Sequence, residues 1–146
     1  MIKIESEFVS YQIALRMKQL GFNENCYRVG NPNGAICWRF MDVAGVEGVG
    51  IDDILQVYFD ERWVEIPTFS QSFRWFRENF GLFSSEVYDR GLDNGKLPII
   101  HSYSFRILNL NNFKDFYGDT FKTYEEAEIA CLEKLIEIVE FKLNVK

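Results

Sequence analysis

Apolar residues recur along this chain at two different periods, and the switches between them predict its elements. Ile13, Ala14, Met17 and Leu20 lie one helical turn apart, the spacing of an amphipathic helix. Ser10 stands where an N-cap oxygen is needed. Gly21 stands where the chain must turn left-handed to end the helix, and Phe22 can supply the apolar contact of such a cap. The pattern then becomes strand-like. Tyr27-Arg28-Val29 and Ile36-Cys37-Trp38-Arg39-Phe40 flank Asn31-Pro32-Asn33-Gly34, which predicts a hairpin. Residues 54–59 and 62–66 read as a second pair of strands around the turn Asp60-Glu61. Pro67 ends that pair, and Thr68-x-x-Gln71 is a capping box for a second helix. Phe69, Phe73, Phe76 and Phe80 form one stripe on this helix, and Gly81 closes it. Residues 82–88 are extended, and Asp93-Asn94-Gly95 is a turn. Tyr103, Phe105 and Ile107 then alternate with Ser102, Ser104 and Arg106 as a half-buried strand does. Thr123-x-x-Glu126 opens a last helix that runs to about Leu143.

Adjacent strands with short turns imply antiparallel pairing. The expected class is therefore α+β: an antiparallel sheet of roughly 4–6 strands with about three helices packed on it. The 146 residues, 47% hydrophobic and 26% charged, fit one such domain spanning residues 1–146 and exclude a disordered chain or a disulfide scaffold. No run reaches the ~18 apolar residues of a membrane span. Glu5 and Glu7 interrupt the N-terminal stretch, so no secretory signal is expected there. Three cysteines, Cys26, Cys37 and Cys131, with no CxxC spacing suit reduced thiols in a cytoplasm. Sixteen Lys and Arg against 22 Asp and Glu give a net charge of −6, without a basic cluster. That balance argues against nucleic acid and membrane surfaces as partners.

Candidate chemistry is sparse. The one histidine, His101, begins a strand beside Ser102 and Ser104, but strand neighbours face opposite ways and make no triad. Between Asp42 and Glu65 lie seven acidic residues, including Asp52-Asp53. Their spacing matches no calcium loop, so solvated carboxylates are expected rather than a metal site. Gly45, Gly48 and Gly50 run in the wrong order for a dinucleotide loop. No catalytic residue, metal or cofactor is expected.

Two groups of residues suggest recognition instead. Each tryptophan has an adjacent arginine: Trp38-Arg39, Arg62-Trp63 and Arg74-Trp75. In strands this is ordinary in–out alternation. On the second helix Trp75 lies about 130° from the centre of the phenylalanine stripe, at 100° per residue. It is either covered by another segment or part of a binding surface with Arg74, Arg77 and Gln71. In the last helix Ile129, Leu132, Ile136, Val139 and Leu143 form a seam at 3-4-3-4 spacing. Ala127, Cys131, Leu135 and Ile138 form a second stripe. One faces the sheet, and the other is covered by the first helix or by a second copy in a homodimer.

Three blocks carry a resemblance. Glu7-Phe8-Val9-Ser10-Tyr11-Gln12-Ile13-Ala14, with Leu20-Gly21-Phe22, resembles the start of a group of uncharacterised small proteins encoded by phages and prophages of gut Bacteroidales. Ile66-Pro67-Thr68-Phe69-Ser70-Gln71 with Trp75-Phe76-Arg77-Glu78 and Gly81 resembles their middle segment, and Thr123-Tyr124-Glu125-Glu126-Ala127 with Leu132-Glu133-Lys134-Leu135-Ile136 their last helix. The resemblance implies a mobile-element origin and a bacterial host cytoplasm, and carries over no active site. The expected function is a non-enzymatic module that binds a host or phage protein, with counter-defence as one use. The alternative is a binder of a small nucleotide or signalling ligand through Trp75, Arg74 and Arg77. An enzyme using His101 or Asp52-Asp53 ranks third.

Overall fold

A computed structural model describes residues 7–38, 62–93 and 97–144. The expected strand at 54–59, the acidic pair Asp52-Asp53, the glycines Gly45, Gly48 and Gly50, Arg39 and the Asn94-Gly95 turn lie outside the described residues. The chain divides into two compact units, Met1–Thr68 and Phe69–Lys146.

The first unit contains helix α1 (Tyr11–Gln19) and strands β1 (Arg28–Gly30), β2 (Ile36–Trp38) and β3 (Val64–Ile66). Ser10 caps α1, its hydroxyl accepting the Ile13 N–H at 3.2 Å. At the other end Phe22 N–H donates to Met17 O and Gly21 N–H to Lys18 O, each at 3.0 Å. These are the two bonds of a Schellman cap. The Asn31 side-chain oxygen accepts from Asn33 N–H and Ala35 N–H, both at 3.0 Å, and so shapes the β1–β2 loop. The sheet order is β2-β1-β3, with both pairings antiparallel. Helix α1 packs on β3, and Ile13, Ala14, Met17, Phe22, Val29, Val64 and Ile66 are buried. Trp38 pairs with Arg28 directly across β1–β2. The Arg28 guanidinium stacks on the Phe8 and Trp38 rings, 5.0 and 5.2 Å from their centroids.

The second unit contains helix α2 (Phe69–Phe80), strands β4 (Leu82–Asp93), β5 (Leu97–Asn109) and β6 (Lys114–Tyr117), and helix α3 (Tyr124–Asn144). Its sheet runs β4-β5-β6, all antiparallel. Helix α2 packs on β4, α3 packs on β5, and the two helices touch each other. Gly81 takes φ +66° after α2, and Asn111 Nδ2 donates to the Phe80 carbonyl at 2.8 Å, tying the β5–β6 loop to that helix end. Thr123 caps α3 by accepting the Glu126 N–H at 3.2 Å.

The α+β class and its antiparallel pairing are as the sequence predicts. The six described strands form two three-stranded sheets rather than one. Strand β3 turns back onto β1, and α2 begins within three residues of its end, so β3 and β4 belong to different sheets. Strand β6 is a further difference: all four of its residues are exposed, so no apolar alternation marks it.

The self-association seam on α3 is corrected at its centre. Leu132, Ile136 and Val139 are fully buried within the single chain, as is Leu135 of the second stripe. A side chain with no accessible surface has none to give to a second copy. Only the ends of the seam, Ile129 at 41% and Leu143 at 43%, are exposed.

Candidate functional site

Inside the second unit α2, β4, β5 and α3 surround a cavity of about 290 Å³. The β4–β5 register places Glu86 opposite Phe105 and Ser84 opposite Ile107. Phe105 and Ile107 are buried, so Ser84 and Glu86 lie on the same, helix-covered side of the sheet. On α3, Tyr124, Glu128 and Cys131 stand at i, i+4 and i+7 and line the cavity from one helix face. Helix α2 contributes Phe73 and Arg77.

The polar groups converge on one phenol. Tyr124 donates its O–H to the Glu86 carboxylate. Its ring meets Tyr103 edge-on, with centroids 6.3 Å apart and planes at 83°. Burial raises the Tyr124 pKa above its usual value. The Glu86 bond raises it further, and Glu128 adds to the effect. Cys131 is pushed up to about 12, mainly by burial, with Glu128 and Glu86 adding and a Ser84 hydrogen bond opposing. Phenol and thiol therefore both stay protonated at neutral pH. A protonated thiol is not a nucleophile, and a neutral phenol is a hydrogen-bond donor. The cavity combines aromatic walls with two carboxylates, which is equipment for holding a ligand.

Of the four binding residues expected on α2, only Arg77 lines this cavity. Trp75 is 5% exposed, packed edge-on against Phe76 and Phe80 at 5.0 and 5.2 Å. Of its two readings the covered one holds, because a buried indole offers no face for stacking a base. Arg74 is exposed and Gln71 half-buried, outside the cavity wall. His101 lies in β5. Among the described residues no three of His, Cys, Asp and Glu group as metal ligands, and no helix is long and apolar enough to cross a membrane.

A second feature lies on the opposite side of the same sheet. Phe83 and Val87 alternate with Ser84 and Glu86, and both are exposed. On β6, Tyr117 is 63% exposed and shares its face with Asp115, which pairs with Arg106 at 2.8 Å. At the tip of the β5–β6 hairpin Phe113 is 80% exposed and takes φ +56°. This left-handed conformation is a genuine outlier for a bulky residue. Sequence reasoning missed these aromatics. The signal was Phe113, Phe116 and Tyr117 set among Asn, Lys and Asp without helical or alternating period.

No family model, curated protein or solved structure matches the chain.

Proposed function

We propose that the chain is a non-enzymatic binding module, encoded by a phage or prophage, that acts on a host or phage protein in the bacterial cytoplasm, with counter-defence as one use. The observation that carries this is the outer face of the second sheet. Phe83, Val87 and Tyr117 lie exposed around the Arg106–Asp115 pair, and Phe113 stands at the adjoining hairpin tip. Aromatic anchors within a polar surround are the composition of protein interfaces, and few such anchors supply most of the binding energy. Among the described residues strand β6 also ends the sheet order, a position from which a partner strand can pair.

Affinity capture from a bacterial lysate tests the proposal. Wild-type protein is expected to retain a specific protein that the double variant Phe113→Ser, Tyr117→Ser does not, with both proteins melting within a few degrees of each other. Equal capture of the same protein by both would contradict it.

The cavity favours a second reading, a small-ligand binder. Glu86 and Glu128 line it, and two carboxylates oppose the phosphate of a nucleotide. A ligand of other charge suits it better.

A further inference from the structure

We infer that the outer edge of β6 takes an extended segment of another protein, one that carries a lysine or arginine on the side turned toward α3. The inference deepens the proposed function and rests on it, because it names the chemistry of the partner. The backbone comes first. In the β5–β6 ladder Gly118 N–H donates to Phe105 O at 2.9 Å. Bonded and non-bonded pairs alternate along an antiparallel ladder. Ile107–Phe116 and Asn109–Lys114 are then the bonded pairs, and Arg106–Tyr117 and Leu108–Asp115 are not. On the other side of β5, Leu110 N–H donates to Gly81 O at 3.0 Å, as the same alternation requires.

The N–H and C=O groups of Asp115 and Tyr117 therefore point away from β5. Among the described residues β6 has no neighbour strand on that side, and all four of its residues are exposed. A strand laid there can bond to the backbone of these two residues. An edge this short needs side-chain contacts as well, and in strand addition those contacts set which partner is accepted.

The side chains of an added strand alternate between the two faces of the sheet. On the helix side they meet an open groove of about 220 Å³ between the β6 segment and α3. Phe116 lines it, stacked on Phe105 with centroids 6.0 Å apart. Among the described residues the charged side chains of its wall are Asp119, Glu133, Glu137 and Lys134. Lys134 bonds Glu137 at 3.1 Å, and its ammonium lies 4.6 Å from the Phe116 centroid. The groove thus already holds one cation between a ring and a carboxylate. Asp119 and Glu133 are exposed on the same wall, so a second cation, brought by the partner, meets the same chemistry.

A second copy of this chain fits the edge less well. Centring a two-fold axis on Asp115 sets that residue against its own copy, and like charges directly opposite destabilise a strand pair. Centring it on Phe116 avoids that contact, yet any dimer joins two chains of net charge −6. Self-repulsion opposes such a dimer, whereas a basic segment is attracted.

The test is an NMR titration of the full chain with three short peptides in which threonine alternates with lysine, glutamine or glutamate. The lysine peptide is expected to bind saturably at low salt, the glutamine peptide at least about fivefold more weakly, and the glutamate peptide not at all. Amide hydrogen exchange at Asp115 and Tyr117 should slow at least about tenfold in the lysine complex. Glu133→Gln changes an exposed residue and should weaken the lysine peptide by about two- to fivefold with the melting midpoint held. Equal affinity for the lysine and glutamine peptides would overturn the inference, as would lysine-peptide binding that leaves the Asp115 and Tyr117 amides unchanged. A dimer by light scattering, with those amides already protected in the free chain, would overturn it in favour of a second copy. Binding of no peptide would overturn it too, and lysate capture lost in Phe113→Ser, Tyr117→Ser would then still uphold the proposed function.

Discussion

Glu86 and Phe83 stand on opposite faces of β4 and both are exposed, Glu86 beside the cavity and Phe83 on the outer sheet face. Glu86 keeps contact with water on the helix side and also accepts the Tyr124 O–H. Placing Phe83 outward leaves an aromatic exposed. Phe113 is a similar exception. An L-residue in the left-handed region is disfavoured by roughly 1–2 kcal/mol, so Phe113→Gly should leave stability unchanged or raise it by about 1 kcal/mol while reducing partner capture. A drop in the unfolding free energy would show that the ring packs in the native state. Cys131 yields a pH prediction. Burial pushes its folded pKa to about 12, above the ordinary thiol value of 9.0, so the native state holds its proton where the unfolded chain has lost it. The associated stability is present below pH 9 and is lost as pH rises from 9 towards 12. Tyr124 is shifted in the same direction. Denaturant unfolding at a series of alkaline pH values should show a steeper decline for wild type than for Cys131→Ala, and parallel declines would contradict the assignment.

At the scale of elements, the helices were legible and the sheets only in part. Ser10 and Thr123 act as the caps that their sequence positions imply. Gly21 and Gly81 take the positive φ that their helix ends require. Strand β5 shows its alternation because one of its faces is buried. Strand β6 has no buried face, and strand pairing across 33 intervening residues, as in β1–β3, leaves no local mark. Helix α3 carries two apolar stripes, so periodicity alone could not say which one is covered. The fold covers the centres of both. Ile136→Glu with Val139→Glu should therefore unfold the protein rather than release a monomer, because an unpaired buried charge costs several kcal/mol. A folded variant would contradict the burial. Beyond β6, Gly118 N–H donates to Phe105 O at 2.9 Å, and a Cβ there would lie 2.3 Å from the Phe105 ring. Gly118→Ala should cost about 1–3 kcal/mol by denaturant unfolding, against no change if the strand can shift away.

At the scale of the molecule, each of the two units has its own sheet, and both candidate sites belong to the second. The α+β class followed from turn and cap residues, which act locally. The cavity did not, because Glu86, Tyr103 and Tyr124 are brought together only by the β4–β5 register and the packing of α3. The outer face was equally hidden, since exposed aromatics look in sequence like core residues. Hydrogen exchange of the purified chain, alone and bound to the protein it captures, tests the central claim most directly. Slower exchange in β6 and the β5–β6 hairpin, with residues 11–30 unchanged, is the predicted result. Protection confined to the first unit, with β6 exchanging as fast as in the free chain, would contradict recognition through the second sheet.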